Sequence, residues 1–293
     1  MRRTTNRWIS LTILLAIACM GILGGCAGSK QASRVPGQNM GINPYRVNTG
    51  YLLRHAIDRG TLRIGTERDY PPFSYIGIGG RLTGFDVEIA QEVARHMELK
   101  AEFIETDWKS LLPGLTEGKY DAVFNEIEDR HDRRALYDFS VAYLSTSPVL
   151  LTSSDKDAIH SFEDIRGKTI GVNPIGNYAN IADKYDADIK PVKYIHDAAS
   201  QLVDGKLDAV ITDQFSVTNL IQQFPDMAVK TVEISSAVYE VSAAFVKGNP
   251  DLVAAVDNAL ATMQEDGSYL AIWNKYFGDS PLSYKGILDR KNQ

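Results

Sequence analysis

Short apolar segments alternate along most of the chain with amphipathic ones, and glycine or proline residues separate many of them. Residues 61–65 have the length and composition of a strand. From Phe85 to Met97 apolar residues recur every four positions, which predicts a helix that runs to about His96. Because strands and helices continue to alternate in this way to about Phe277, the pattern predicts an α/β fold with mixed, mostly parallel sheets.

Aspartates stand where several of the predicted helices begin. Asp107 precedes one helical pattern, Asp86 is placed to cap another, and Asp213 could cap the helix that follows it. Two other segments are predicted as single strands, residues 192–194 and residues 239–246.

One short pattern occurs twice. LTEGKYDAV at residues 115–123 recurs as LVDGKLDAV at residues 202–210. Each copy has the features of a helix end, a glycine that stops it, and a buried strand leading to a polar residue, Asn125 or Asp213. The copies are too far apart for a solenoid repeat, so they predict two similar lobes.

A dense polar loop follows the first of these strands and is the first candidate for a ligand site. Apolar residues 122–124 give way to a run of charged residues that contains Arg133. Open α/β sheets present ligand-binding groups at the carboxyl ends of their strands, and an arginine can hold a carboxylate with two parallel hydrogen bonds. We expect Arg133 and Asp213 to face each other across a cleft. The loop's other charges, Arg130, Asp132 and Arg134, are interpreted as solvated and self-paired.

Charge and the N-terminal segment indicate where the protein works. The formal net charge is −6, and the chain is more acidic still without Arg2, Arg3 and Arg7, which argues against nucleic-acid partners. Residues 1–25 have the basic start and short apolar run of a signal peptide. LGGC at residues 23–26 resembles the lipobox of bacterial lipoproteins, which implies lipid on Cys26 and a tether over residues 26–50. Cys19 lies in the signal, so no disulfide is expected.

Several motifs, in order from about residue 60 to 280, are similar to those of the solute-binding proteins of polar amino-acid ABC importers. They are TLRIGT (61–66), YPPFS (70–74), LTGFD (82–86), GKYDA (118–122), YDFS (137–140), DIRGKTIG (164–171), KGNP (247–250) and DGS (266–268). The resemblance implies two lobes of a type II periplasmic binding protein, joined by two crossing strands and closing on a ligand by hinge motion. The implied boundaries are 51–144 with 238–286 for the first lobe and 145–237 for the second.

The resemblance also implies roles for individual residues. Tyr70 and Trp108 match the aromatic walls, and Arg133 matches the arginine that grips the α-carboxylate. Asn177 matches a backbone amide that meets the same carboxylate, and Asp213 matches the acid that takes the α-ammonium.

Cystine binders show the best match within this family, and they make cystine the expected ligand. The similarity includes Glu67, Asn125 and Tyr178. Two residues depart from the pattern, because Glu126 stands where a glutamine is usual and Glu128 where a small or hydroxylated residue is usual. Glu128 could contact the ligand or pair with a neighbouring arginine. These departures keep a cationic amino acid, arginine or lysine, as the alternative.

An enzyme is the competing class. A few proteins of this fold are dehydratases, and Glu126 with Glu128 could serve in acid–base chemistry. No histidine is placed to help, since His131 belongs to the charged loop, and the sequence has no metal-ligand cluster or nucleophile constellation. We therefore expect a monomeric binding protein with no cofactor, anchored by lipid on the outer face of a cell membrane and working with an ABC permease. A sensor that has lost transport is a third reading, although no signalling domain follows Phe277.

Overall fold

The computed structural model describes residues 51–173 and 177–278. Cys26, the signal segment and the tether lie outside the described residues. The helices of the described part are α1 (Tyr51–Arg59), α2 (Phe85–His96), α3 (Trp108–Thr116), α4 (His131–Arg134), α5 (Asn177–Lys184), α6 (Ile195–Val203), α7 (Gln214–Gln223), α8 (Pro250–Asp266) and α9 (Ser268–Phe277).

The strands alternate with these helices. They are β1 (Thr61–Thr66), β2 (Asp69–Tyr70), β3 (Ser74–Ile76), β4 (Leu82–Thr83), β5 (Lys100–Glu105), β6 (Ala122–Val123), β7 (Tyr137–Phe139), β8 (Leu144–Thr146), β9 (Pro148–Ser153), β10 (Thr169–Val172), β11 (Asp188–Pro191), β12 (Ala209–Asp213), β13 (Val229–Ile234), β14 (Tyr239–Val241) and β15 (Ala244–Val246).

Two five-stranded sheets organise the fold. The first has the order β5-β1-β6-β15-β7 and the second the order β11-β10-β12-β9-β13. Each combines parallel and antiparallel pairs. The chain passes between the sheets along β8 and β14, which pair antiparallel with each other. This arrangement agrees with the predicted two-lobed fold and its crossing strands.

The repeated sequence pattern forms the same structure in both sheets. The Asp121 side chain accepts a hydrogen bond from the backbone N–H of Arg63 at 2.9 Å, and Asp208 accepts one from Thr169 at the same distance. Each aspartate thereby joins its strand to the neighbouring parallel strand. A glycine in that neighbour makes room for the residue before the aspartate. A Cβ at Gly65 would lie 2.6 Å from the Tyr120 ring.

Apolar residues form clusters on the faces of the two sheets. The largest cluster packs α2, α8 and α9 against the first sheet and includes Phe85, Trp273 and Phe277. Phe215 of α7 joins this cluster, with its ring centroid 4.4 Å from that of Phe277. Because α7 directly follows a strand of the second sheet, Phe215 ties that sheet to the core of the first. Phe73 is fully buried in the same cluster, as expected of a core aromatic.

Three local predictions are wrong. Gly84, not Asp86, is the N-cap of α2, and the Asp86 carboxylate instead accepts a hydrogen bond from the backbone of Glu126. The strand predicted at 192–194 lies earlier, at Asp188–Pro191, and pairs with β10 there. The single strand predicted at 239–246 is two strands, because its two ends pair with different partners, β8 and β7. Asp107 and Asp213 are N-caps as predicted.

None of the helices in the described ranges, 51–173 and 177–278, is long and apolar enough to cross a membrane.

Replacing Asp121 by alanine should destabilise the first lobe. Its fully buried carboxylate binds Arg59 at 2.5 Å and Arg63 at 2.8 Å, besides the Arg63 backbone. We expect Asp121→Ala to lower the free energy of unfolding by about 3 kcal/mol, the low end for breaking a buried ion pair, because both arginines stay partly exposed. Urea denaturation measures this value. The exposed Asp58, which pairs with Arg54 on α1, is the matched control, and its alanine variant should lose about 0.5 kcal/mol or less. Equal losses in the two variants would contradict the expectation.

Candidate ligand-binding cleft

A cavity of about 680 Å³ lies where strands of both sheets end. Segments that follow β1, β5 and β6 line it on one side, and segments that follow β10, β11 and β12 line it on the other. This is the position at which α/β sheets bind ligands. The predicted site residues on its wall are Glu67, Tyr70, Trp108, Glu126, Glu128, Arg133, Asn177 and Tyr178.

Arg133 presents most of its guanidinium to this cavity. Its Nη1 donates a hydrogen bond to the Glu128 carbonyl at 2.9 Å, and the guanidinium carbon lies 6.0 Å from the centre of the Trp108 ring. Burial lowers the pKa of Arg133 from its ordinary value, although an arginine remains charged. Among the described residues no carboxylate oxygen lies within the 4.0 Å of an ion pair. Arg133 is therefore a cation available to an anionic group in the cavity.

The neighbouring charges of the loop are paired elsewhere. Arg130 binds Asp132 at 2.7 Å, and Arg134 binds Asp129. This confirms that the loop's remaining charges neutralise one another. Glu128 was expected either to contact the ligand or to pair with a neighbouring arginine. Within the described part of the chain, neither Arg130 nor Arg133 forms an ion pair with its side chain.

Glu126 and Glu128 both line the cavity, although the chain bends at Glu126 after β6. Ile127, between them, packs into the core beneath, and Glu128 forms an isolated bridge with Val241 of β14. Both glutamates are more than nine-tenths buried. Burial raises the pKa of Glu128, while the charges of Arg133 and Arg130 act to lower it.

The backbone of Glu126 has an unusual conformation. Its φ is 48°, in the left-handed region that non-glycine residues seldom adopt. The Asp86 carboxylate accepts a hydrogen bond from its N–H at 2.5 Å, and the Tyr70 hydroxyl donates to its Oε2. Burial and then the charge of Asp213 raise the pKa of Glu126 well above its ordinary value. Burial likewise raises the pKa of Asp86 to about 7.

Asp213 lies directly behind the cavity wall. It has no exposed surface and caps α7 by accepting a hydrogen bond from the Ser216 N–H at 2.7 Å. Thr212 and Ser216, on either side of it, line the cavity, but Asp213 itself does not. Burial raises the pKa of Asp213, and its hydrogen bonds with Ser216 act to lower it. Sequence reasoning placed this residue at the cleft surface, whereas Glu67, Glu126 and Glu128 are the buried acids that line it.

Asn125 also lies behind the wall, where it positions Glu67. Its amide oxygen accepts hydrogen bonds from the Thr66 hydroxyl at 2.9 Å and the Glu67 N–H at 2.8 Å. Its amide nitrogen donates to the Glu67 carboxylate at 3.0 Å. Burial raises the pKa of Glu67, and the Asn125 bond acts to lower it. Asn125 is fully buried and does not line the cavity.

Asn177 and Tyr178 form the wall at the start of α5. Asn177 is the first residue of the helix, and Tyr178 is buried beside it. The Tyr178 hydroxyl has no hydrogen-bond partner among the described residues. A helix N-terminus favours anions, so this side of the cavity complements the cationic Arg133 for holding a carboxylate.

A contact across the mouth of the cavity was not predicted from the sequence. Asp69 of β2 binds Lys193 Nζ at 2.5 Å and accepts a hydrogen bond from the Tyr194 hydroxyl at 2.8 Å. Burial acts to raise the pKa of Asp69, but these two partners lower it overall. The contact joins residues more than a hundred positions apart, and no local sequence pattern marks it.

A possible metal cluster lies away from this cavity. Glu92, His96 and Asp266 place ligand atoms within 4.8 Å of one another, the only such group found in the described ranges. Arg95 already occupies it, with Nη2 at 2.5 Å from Glu92 Oε1 and 2.9 Å from His96 Nε2. The guanidinium supplies the positive charge that the cluster needs.

The fold and the polar cleft between its sheets define a two-lobed solute-binding protein. A family model described as bacterial extracellular solute-binding proteins, family 3, matches residues 62–279, and the chain belongs to that family. This confirms the resemblance inferred from the motifs. Members of this family capture solutes, which places the chain among binding proteins rather than enzymes.

Relatives and solved structures agree with this assignment. The chain is 36% identical over 235 residues to the L-cystine-binding protein TcyJ of Escherichia coli K12, covering 78% of this chain and 86% of that one. An ancestral arginine-binding protein bound to arginine superposes with a TM-score of 0.70 at 32% identity, over 75% of this chain and 99% of its own. The unliganded, open L-cystine solute receptor of Neisseria gonorrhoeae gives a TM-score of 0.61 at 31% identity, over 78% and 98%.

Replacing Asn125 by leucine should show its structural role. The change keeps the branched shape of the side chain but leaves the Glu67 N–H and one Glu67 oxygen without their buried partner. We expect the free energy of unfolding to fall by at least about 1–3 kcal/mol, the cost of one buried unsatisfied polar group. Asn180 is the matched control, because it is exposed on α5 and makes one long hydrogen bond of 3.5 Å. Asn180→Leu should change stability by about 0.5 kcal/mol or less. Chemical denaturation compares the two, and a stable Asn125→Leu protein would refute this role.

Proposed function

We propose that this protein captures a polar amino acid outside the cell and delivers it to an ABC permease. The observation that carries the proposal is a cleft in which Arg133, an arginine with no ion-pair partner among the described residues, lies among buried acids, with Glu126 on the wall and Asp213 behind it. An amino acid needs one group of each sign. The permease is inferred from relatives such as the ABC transporter arginine-binding protein 1 of Escherichia coli K12.

Each side of the cleft has a proposed task. Arg133, with the helix start at Asn177, takes the α-carboxylate, and Tyr70 and Trp108 enclose the aliphatic part of the ligand. Asp213 takes the α-ammonium, and Glu126 on the wall faces the side chain of the ligand. The crossing strands β8 and β14 serve as the hinge between residues 51–144 with 238–286 and residues 145–237. Closing the lobes would remove water from these ion pairs and strengthen them.

Cystine is the proposed ligand. The similarity to TcyJ and to the gonococcal cystine receptor supports it, and Glu67 gives the cleft a further acid for the second ammonium of cystine. A cationic amino acid, arginine or lysine, is the second candidate. It is favoured by the excess of acids in the cleft and by the ancestral arginine-binding protein.

We also propose that the protein acts as a monomer on a membrane surface. Cleavage after the signal would leave lipid on Cys26, and the polar segment at 26–50 would hold the folded lobes away from the bilayer. A binding protein anchored in this way stays beside its permease.

Arg133→Ala should abolish tight amino-acid binding. Removing one partner of a desolvated charge pair costs about 2–5 kcal/mol, and every 1.4 kcal/mol is about tenfold in affinity. A thermal-shift screen of the natural amino acids and cystine identifies the ligand, since a ligand bound only by the folded protein raises the melting temperature. Titration calorimetry then compares the variant with the wild type.

Arg134→Ala is the matched control for Arg133→Ala. Arg134 is the next residue on α4, but its exposed side chain is paired with Asp129 and does not line the cavity. Its variant should keep wild-type affinity. Unchanged affinity in Arg133→Ala would remove the proposed anchor, and a screen in which no amino acid stabilises the wild type would overturn the function itself.

Cys26→Ala should release the protein from the membrane. The cysteine would be the only attachment point for lipid, and without acyl chains no anchor remains. We expect the wild-type protein in the membrane fraction of the producing bacterium and the variant in the soluble extracytoplasmic fraction. Incorporation of radiolabelled palmitate by the wild type alone is the second readout. Membrane retention of Cys26→Ala would contradict lipid anchoring.

A further inference from the structure

The cleft contains more acidic side chains than an amino acid with no net charge requires. Glu67, Glu126 and Glu128 are buried on its wall, and Asp213 is buried behind it. The other wall acids, Asp69 and Asp107, are at the exposed mouth. Arg133 is the one partly buried cation on the wall in the described part of the chain. Buried like charges are costly unless a partner neutralises them or a proton does.

Unpartnered hydrogen-bonding atoms are concentrated at the same wall. Glu126 Oε1, Glu128 Oε2 and the Tyr178 hydroxyl oxygen are buried and have no partner among the described residues. An ionised carboxylate can only accept hydrogen bonds. The two carboxylate oxygens can therefore accept hydrogen bonds from an ammonium or guanidinium group of a ligand.

Glu126 uses only one of its two carboxyl oxygens. The Tyr70 hydroxyl donates a hydrogen bond to Oε2, while Oε1 has no partner among the described residues. Asp86 fixes the backbone of Glu126, which aims the side chain, and Asp213 approaches it from the second sheet through the start of α7. The remaining groups that act on Glu126 or are acted on by it are Glu128, Tyr143 and Tyr178.

We infer that Glu126 determines the specificity of the cleft by accepting a cationic nitrogen of the ligand in exchange for its own proton. The inference rests on the proposed function and adds a linked proton to it. The exchange requires Glu126 to hold a proton in the empty cleft, and this fits a carboxyl that is more than nine-tenths buried and has no cation paired with it among the described residues. When the ligand binds, the Glu126 O–H bond breaks, its proton passes to bulk water, and the carboxylate accepts N–H hydrogen bonds at Oε1.

The direction of the pH dependence follows from this exchange. The pKa of Glu126 is raised in the free protein and falls when a cation pairs with it. Affinity should therefore rise with pH between the pKa of Glu126 in the complex and its higher pKa in the free protein, by up to about tenfold per pH unit for one released proton, and level off once free Glu126 ionises. Burial raises the pKa of Asp86, beside this cleft, to about 7, and His196 lies at the mouth of the cavity, so each needs a control.

The experiment measures proton release by titration calorimetry of the wild type in two buffers of different ionisation enthalpy at one pH. The probes are arginine, its uncharged isostere citrulline, and cystine. We expect about one proton released per cationic ligand bound, and arginine to bind at least about tenfold more tightly than citrulline if arginine is the ligand class. Glu126→Gln should abolish the proton release and most of that preference.

Controls separate Glu126 from its neighbours. Asp86→Asn keeps an acceptor for the Glu126 N–H, and His196→Gln removes the histidine at the mouth. His196→Gln should still release a proton on binding, and a release that Asp86→Asn abolishes while Glu126→Gln keeps it would belong to Asp86. The melting temperature of each variant without ligand reports whether it folds, and the proton count of the wild type tests the inference without any variant.

Each outcome has one meaning. Amino-acid binding without proton release, or release that persists in folded Glu126→Gln, overturns the role of Glu126 and leaves the proposed function intact. Failure of the wild type to bind any of the natural amino acids or cystine overturns the proposed function, and the linked proton with it.

Discussion

The cleft is organised by the burial of acids next to one another. Asp86, Glu126 and Asp213 come from α2, the segment after β6 and the end of β12, and the charges of Asp86 and Asp213 raise the free energy of ionising Glu126. Moving even one ion away from water costs several kcal/mol after relaxation. The fold offsets this cost for Asp213 with a helix cap and for Asp86 with a backbone N–H. For one oxygen of Glu126, the described residues provide nothing.

The repeated pattern in the two sheets explains how these acids are brought together. Asp121 and Asp208 fix the same strand pairing in each sheet, so the residues that follow the two strands emerge at equivalent edges. Phe215 then inserts into the aromatic cluster of the first lobe immediately after Asp213. The packing of Phe215 thus holds Asp213 behind the cavity wall, and the repeated pattern directs the end of its strand toward the cleft.

The sequence predicted the scaffold better than the positions within it. Periodicity and the repeat gave the helices, the two sheets and the helix caps at Asp107 and Asp213, because these depend on nearby residues. Asp86 was misassigned as a cap because its partner, the Glu126 N–H, is remote in sequence. The bridge from Asp69 to Lys193 was missed for the same reason. Which of Asp213 and Asn125 lies on the wall, and which behind it, depends on packing that no local pattern encodes.

The distinction between binding and catalysis rests on how the acids are held. A general acid must bring its proton to a reacting atom and needs a group that restores it. Glu126 and Glu128 have raised pKa values, as catalytic acids often do, yet no histidine lies beside either in the described cavity wall, and His196 is exposed at the mouth. Tyr70 holds one oxygen of the Glu126 carboxyl, and the other oxygen has no partner among the described residues. Such a carboxyl can exchange a proton for a cation each time the lobes close on a ligand. That property suits a receptor whose ligand must leave unchanged, and it uses the same buried charge that would otherwise only destabilise the fold.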